Sequence, residues 1–316
     1  MPESFKQFPP RSGAVRVPTS SRANALAGLT MYCPCKPAAV FAHRVAWLST
    51  ALLGPGVLPG RRRPWESPIE SQVWTELLEA WSPVVGSFDT FAVYERPPGP
   101  RPGLAILLIK GGQPVGFVKV RRNDPKALLN EATALKLVWA SRPRSFLVSE
   151  PLDTGEIAGW HYLLVTPSQS RLHRMLRDRP LDHIIEDVQV GLAGLPRSAS
   201  APRHWVPMHG DLSVWNLRQA VFGRTLPSLM DWEYAGWGPP GADETWYQAS
   251  LAAVTGDAPP VSTAEEAILY WEAWVGSWST ADPKEAQGVT SLLEALAAMR
   301  PQKRPRHPSS DTRNRR

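Results

Sequence analysis

The sequence predicts an α+β chain of two lobes, an antiparallel-sheet lobe followed by a mostly helical one. Three observations carry that expectation. Short β-prone runs crowd between Ser87 and Val120, parted by Pro- and Gly-rich turns. A single amphipathic helix follows them. Beyond Pro167 the apolar residues recur at three- and four-residue spacing almost throughout. With 316 residues, of which 43% are hydrophobic, the chain is long enough for two modest cores.

Taken in order, residues 1–66 read as an extension with one helix, Pro37 to Leu53. Gly54-Pro55-Gly56 stops that helix, and Pro59 to Pro64 is a Pro/Arg-rich linker. The apolar run Ala38 to Leu58 contains His43, Arg44, Gly54 and Pro55, so it reads as a packed amphipathic helix and not as a membrane span. The small lobe, 67–167, starts with a short helix at Ser71 to Trp81, where Val73, Leu77 and Trp81 share a face. Thr90 to Glu95, Leu104 to Lys110 and Val115 to Val120 then form an antiparallel meander, with Gly111-Gly112 as a hairpin turn. Asp124-Pro125 offers an N-cap and a Pro at the first helical position, and the helix runs to about Ala140. Tyr162 to Val165 is a further strand.

In the large lobe, 168–300, helical stripes occupy Leu181 to Leu192, Thr245 to Val254, Ala264 to Trp278 and Ala286 to Met299. A loop-rich centre from Ala201 to Gly241 interrupts them. Residues 301–316 are basic, Pro-rich and without an apolar stripe, so a disordered tail is expected. That tail accounts for much of the net charge of +6, which by itself gives no case for nucleic-acid binding. Cys33 and Cys35 are too close in sequence to bridge, and Met1 to Gly13 has no apolar core of a signal peptide. Free thiols and no leader predict a cytoplasmic protein. The sequence assigns no oligomeric state.

The chemistry centres on Met208-His209-Gly210-Asp211-Leu212-Ser213-Val214-Trp215-Asn216, followed by Asp231 after the apolar pair Leu229-Met230. Magnesium–ATP needs hard oxygen ligands for the cation, which one carboxylate and one amide can give. A second carboxylate must face the acceptor hydroxyl and take its proton. Asp211 fits the second role, and Asn216 and Asp231 fit the first. Taken singly, each could be an ordinary Asx-turn residue. The string His-Gly-Asp with Asn five positions later arises by chance in about one such chain in a thousand.

The N-terminal half adds a cation. Lys119 lies on the last β-prone run of the meander. Glu131 lies on the following helix, with Leu128 three before it and Leu135 four after, and so on the apolar stripe. A carboxylate there needs a cationic partner. Lys119 is the candidate, and the pair would hold an ammonium against nucleotide phosphates. The competing account has Lys119 snorkelling to solvent with Glu131 at the edge of the stripe.

On these residues, with Met230-Asp231-Trp232-Glu233-Tyr234-Ala235, Gly238-Pro239 and Asp243, the chain resembles the aminoglycoside phosphotransferase and choline kinase group. That group is the small-molecule branch of the protein-kinase-like fold, and the likeness runs from about Ser87 to Met299. The resemblance implies ATP and magnesium as cofactors and a small-molecule hydroxyl acceptor. It implies Asp211 as catalytic base and His209 as a brace of its loop. Asn216 and Asp231 would hold the metal, and Lys119 with Glu131 would meet the phosphates. Leu164 to Pro167, including Val165 and Thr166, would be the hinge at adenine, and Asp243 would be structural. The chain departs from the group in having no clear glycine-rich loop, Gly86-Ser87 being the nearest piece, and in placing Val214-Trp215 before the Asn.

Two other functions fit parts of the sequence. An inactive ATP-binding pseudokinase is opposed by the full set of catalytic positions. A protein kinase proper is opposed by the lack of an Ala-Pro-Glu motif after Asp231. Trp271, Trp274 and Trp278 fit core packing better than an acceptor wall. Glu233 suits either a cationic acceptor or a structural role. His161, His173 and His183 lack metal-ligand spacing.

Overall fold

A computed structural model describes residues 4–10, 15–95, 103–122, 125–168, 172–176, 180–223, 225–278 and 283–301. The small lobe is built from strands β1 (Phe5–Phe8), β2 (Val15–Pro18), β3 (Thr90–Glu95), β4 (Leu104–Lys110), β5 (Gln113–Arg122), β6 (Pro151–Ile157) and β7 (Trp160–Val165). Helices α1 (Arg22–Leu29), α2 (Pro37–Leu53), α3 (Ser71–Val85) and α4 (Lys126–Ser141) accompany them. The strands form one antiparallel sheet in the order β1-β2-β3-β4-β5-β7-β6.

Strand β4 explains why this sheet is stable. Leu104 to Ile109 are all buried, which is the mark of a strand covered on both faces. On one face Leu77 and Trp81 of α3 pack with Ile106, Leu108, Val118 and Val120. On the other, Ala27 of α1 meets Ala92, Leu107 and Ile109. Gly111 and Gly112 both have positive φ, 55° and 82°, and turn the chain from β4 into β5.

The large lobe holds α5 (Asp182–Gly191), α6 (Ala242–Thr255), α7 (Glu265–Gly276) and α8 (Pro283–Ala298). Its loop-rich centre is less irregular than the sequence suggests. Strands β8 (His173–Met175), β10 (Leu217–Ala220) and β11 (Ser228–Leu229) form a three-stranded sheet, and β9 (Val206–Met208) pairs with β12 (Gly236–Gly238). Each is four residues or fewer, too short to show a period. The chain is thus α+β in two lobes, an antiparallel sheet and then a mostly helical body.

The first 66 residues differ from the expected single-helix extension. Strands β1 and β2 lengthen the sheet beside β3, and α1 packs on it with a Ser21 side-chain cap on the Asn24 amide. The strands are four residues each, β1 followed by Pro9 and β2 ending in Pro18, too short to show a period. Lys6 ties them to the turn after α2: its ammonium donates to the Gly56 carbonyl at 2.9 Å and also to that of Leu58. Helix α4 begins one residue after Pro125, while its expected cap, Asp124, lies outside the described residues, as does the tail from 302 to 316. No described helix is long and apolar enough to cross a membrane.

His173 on β8 gives a pH handle on the large lobe. Burial, reinforced by Arg218, holds its imidazole down to about 4, from an ordinary 6.5. The unfolded chain takes up a proton below about 6.5 that the folded one refuses until about 4, so stability is full above that window and falls as pH falls through it. His173→Gln is expected to flatten that part of a melting-temperature profile. A profile unchanged from wild type would place the acid sensitivity elsewhere.

Candidate active site

Strand alternation aims two cations from β5 at the lobe junction. Val118 and Val120 sink into the sheet core, so Lys119 and Arg121 point the other way. Lys119 Nζ donates to Glu131 Oε1 and Oε2 at 2.6 and 2.7 Å and to Asp231 Oδ1 at 2.5 Å. Glu131 also accepts the Trp232 amide at 3.3 Å. Burial pushes the Glu131 carboxyl upward, and the Lys119 ammonium opposes that shift. Arg121 pairs with Glu233, and both side chains are almost fully buried. Asn130 donates to the carbonyls of Glu233 and Ala235 at 3.0 and 2.9 Å. The segment 231–235 is therefore held to β5 and α4 by four side chains, Lys119, Arg121, Asn130 and Glu131.

The loop after β9 is fixed from the opposite side. Asp243, at the start of α6, accepts the amides of His209 at 2.8 Å and Gly210 at 3.2 Å. Gly210 is required twice over. Its φ is +77°, and a Cβ would lie 2.1 Å from the Tyr234 carbonyl oxygen. His209 is fully buried against Trp232, ring centroids 4.4 Å apart. Burial first, with Lys119 adding to it, holds the imidazole down to about 3, so it is neutral. Its Nδ1 accepts the Asp211 amide at 3.2 Å. Its Nε2 faces the Met230 carbonyl without an aligned hydrogen bond.

Asp211 is held by both oxygens. Trp246 Nε1 donates to Oδ1 at 2.7 Å, and Asn216 Nδ2 donates to Oδ2 at 2.8 Å. Burial, joined by the nearby Asp231 charge, raises its carboxyl to about 8, against the pull of the Trp246 and Asn216 hydrogen bonds. Asn216 commits its amide N–H to Asp211 and accepts the Met230 amide on its backbone carbonyl, at 3.1 Å. Its side-chain oxygen necessarily points away from Asp211. Asp231 sits at φ 69°, in the left-handed region.

The structure thus brings Lys119, Glu131, His209, Asp211, Asn216 and Asp231 to one junction. Val165 ends β7 between β5 and β6, and Thr166 is bound both ways to the Glu150 backbone, at 2.9 and 2.8 Å. Both follow Leu163, the residue opposite Lys119. Gly86-Ser87 is elsewhere. Ser87 accepts from Lys110 at 2.8 Å, at the end of β4 remote from Ala105, the partner of Lys119. Five residues of strand, about 16 Å, separate the two, so Gly86-Ser87 cannot cover phosphates bound at Lys119. Glu95 and Leu104, which pair at the ends of β3 and β4, are nearer, and residues 96–102 lie outside the described residues.

Trp246, Arg121 and Asn130 are the contributors that the sequence does not mark as site residues. Trp246 looks like any helix-core tryptophan, and nothing local ties it to a residue 35 positions away. Arg121 and Glu233 carried a usable signal: each stands two residues after a site residue, Lys119 and Asp231, and the two pairs meet in register. Asn130, the neighbour of Glu131, carried none. Glu233 is paired with Arg121, both side chains almost fully buried. Trp271 stacks on Trp246 at 4.5 Å and caps the Ala242 carbonyl at 2.7 Å, which makes it core and backing for Asp211. His161 and His183 lie beside Glu156 and Glu186.

The donor set suits a hard cation, since Asn216 and Asp231 present oxygen. Glu131, Asp231 and Glu233 also offer oxygens within 4.8 Å of one another. Lys119 and Arg121 already supply two positive charges to that trio. A cavity of about 270 Å³ lined by Asp182, Glu186, Met208 and Asp243 includes none of Lys119, Asp211, Asn216 or Asp231.

The Arg121–Glu233 pair yields a prediction. Arg121→Met takes the guanidinium away from the buried Glu233 carboxylate and is expected to cost about 3–5 kcal/mol in denaturant unfolding. Adding Glu233→Leu is expected to restore most of it. A single variant as stable as wild type would show that the pair does not hold the lobes together.

No family model matches the chain, and no curated protein matches its sequence. Among solved structures, the chain is similar to an aminoglycoside 2'-phosphotransferase-IIIa in complex with GDP, at 13% identity and TM-score 0.46, over 72% of this chain and 99% of that one. It is also similar to a macrolide 2'-phosphotransferase from Brachybacterium faecium, at 14% identity and TM-score 0.41, over 74% and 100%. A third is a putative fructosamine-3-kinase from Haemophilus somnus 129PT, at 11% identity and TM-score 0.42, over 72% and 97%. At such scores the functional case rests on this chain's own residues.

Proposed function

We propose that the junction of the two lobes binds magnesium–ATP and transfers its γ-phosphoryl group to a hydroxyl of a small molecule. One observation carries the proposal: a buried carboxyl group, Asp211, is fixed at both oxygens near Asp231, which Lys119 bridges to Glu131. Lys119 would meet the α- and β-phosphates, with Glu131 keeping its ammonium in place. Asn216 and Asp231 would hold magnesium, which when bound draws negative charge from the triphosphate. Val165 and Thr166, at the end of β7, would lie along adenine.

Asp211 would orient the acceptor. The acceptor oxygen forms a bond to the γ-phosphorus, the bond to the bridging oxygen breaks, and its electron pair leaves with ADP. The hydroxyl proton passes to Asp211 in its ionised form, which a cation held by Asn216 and Asp231 would favour by offsetting the Asp231 charge. Asn216 and Trp246 set the carboxylate's direction, and neutral His209 braces the loop. With ATP as donor, the cytoplasm is the fitting compartment.

The acceptor is sought by offering labelled ATP with a panel of sugars, amino alcohols and hydroxylated antibiotics. Label moving to a small molecule supports the proposal. ATP bound without transfer to any acceptor would favour a regulatory pseudokinase, and label on protein would favour a protein kinase.

A further inference from the structure

Helix α2 is built inside out. Its inward face carries His43, Ala46, Trp47 and Thr50, and the buried positions among them are polar. His43 Nε2 meets the Leu29 carbonyl at 3.0 Å, and Thr50 caps the Ala46 carbonyl at 2.8 Å. The outward face carries Phe41, Val45, Leu48 and Leu52, at alternating four- and three-residue spacing. Phe41 is 71% exposed, and Leu52 and Leu53 are each 73% exposed. Val57, just beyond the helix, continues the patch. A surface helix ordinarily turns such a stripe toward its core. Here an apolar ridge about 18 Å long faces solvent.

The charge around the ridge says what covers it. Between Glu3 and Glu66 the chain holds no Asp or Glu. Lys36 and Arg44 flank the ridge, and Arg61-Arg62-Arg63 follows Val57 by four residues; all five are exposed. A second copy would bring the same cations against them with no acid to pair. An anionic lipid surface satisfies both features at once: acyl chains for the stripe and phosphate headgroups for the rim. We infer that α2 docks this protein on an anionic membrane surface, lying flat with Phe41, Val45, Leu48, Leu52 and Leu53 in the lipid boundary and Arg44 and Arg61–Arg63 on headgroups. This face shares no residue with the Lys119–Asp231 junction, so docking and chemistry stand or fall separately.

The test is co-sedimentation of the full chain with phosphatidylcholine vesicles containing about one-third phosphatidylglycerol, against vesicles of phosphatidylcholine alone. Wild type is expected to bind the anionic vesicles, and less so as salt rises. Leu48→Asp with Leu52→Asp is expected to weaken binding about tenfold or more. Replacing Arg61, Arg62 and Arg63 with Gln is expected to weaken it about tenfold or more as well, since each cation near the surface counts. Both variants alter exposed side chains and should melt with wild type. The inference is overturned if wild type ignores vesicles, binds both kinds equally, or keeps its binding in the double Asp variant. It is also overturned if sedimentation without lipid shows a dimer that the double Asp variant dissolves, because a second copy then covers the ridge.

Discussion

Asp211→Asn is expected to lower the turnover number by about a thousandfold or more, the scale of a lost general base, while nucleotide affinity stays near that of wild type. The geometry explains why the effect should be confined to chemistry. An Asn at 211 can still accept from Trp246 through its carbonyl oxygen. Its NH2 group then faces the Asn216 NH2, donor against donor, where a 2.8 Å hydrogen bond stood. That mismatch costs about 1–3 kcal/mol of stability, which a two-lobed chain of this size can absorb. Steady-state kinetics with a competent acceptor, alongside nucleotide titration, separate the two effects. Turnover within tenfold of wild type would remove Asp211 from the catalytic role.

The second large effect is expected at Lys119. Its ammonium sits within 2.7 Å of both Glu131 oxygens and 2.5 Å of Asp231. Lys119→Met would leave the buried Glu131 facing Asp231 without a cation between them. The expected cost is about 3–5 kcal/mol of stability, with turnover lower by about a hundredfold or more through the lost phosphate contact. The two losses can be told apart. Lys119→Met with Glu131→Met removes the unpaired charge along with the lysine, so it should regain most of the stability and none of the turnover. A double variant that recovers turnover as well would make the pair structural only.

What could be read from the sequence follows from how local each signal is. His209-Gly210-Asp211 and Asn216 sit within eight residues and fold as one loop, so their spacing carries their geometry. Glu131 was legible because a helix repeats at a known angle, and a carboxylate on the apolar stripe asks for a partner. The three-run meander was legible because Gly and Pro punctuate it. Other parts depended on contacts across the chain. Trp246 reaches Asp211 only once α6 has docked, and its indole N–H leaves no mark in the sequence. Strands β1 and β2 exist because β3 offers a free edge, not because four residues prefer to be extended. The inverted α2 helix shows the limit of periodicity. The stripe was visible, but which side faces the protein was set by α1 and the cluster around Leu29, and it fell to the polar side.

The polar clamp between the lobes deserves weight in any engineering of this chain. Lys119 and Arg121 on one strand meet Asp231 and Glu233 on one turn, and Asn130 closes the set. Substitutions there will change stability and chemistry together, so paired variants are needed to read either one.

The account is tested most directly by titrating ATP into wild type, Lys119→Met with Glu131→Met, and Asp231→Asn, each with and without magnesium. Wild type should bind ATP more tightly when magnesium is present. Asp231→Asn should lose most of that gain, and the double variant should bind weakly in both conditions. If all three proteins bound ATP alike, or if magnesium made no difference to wild type, the lobe junction would not be a nucleotide site.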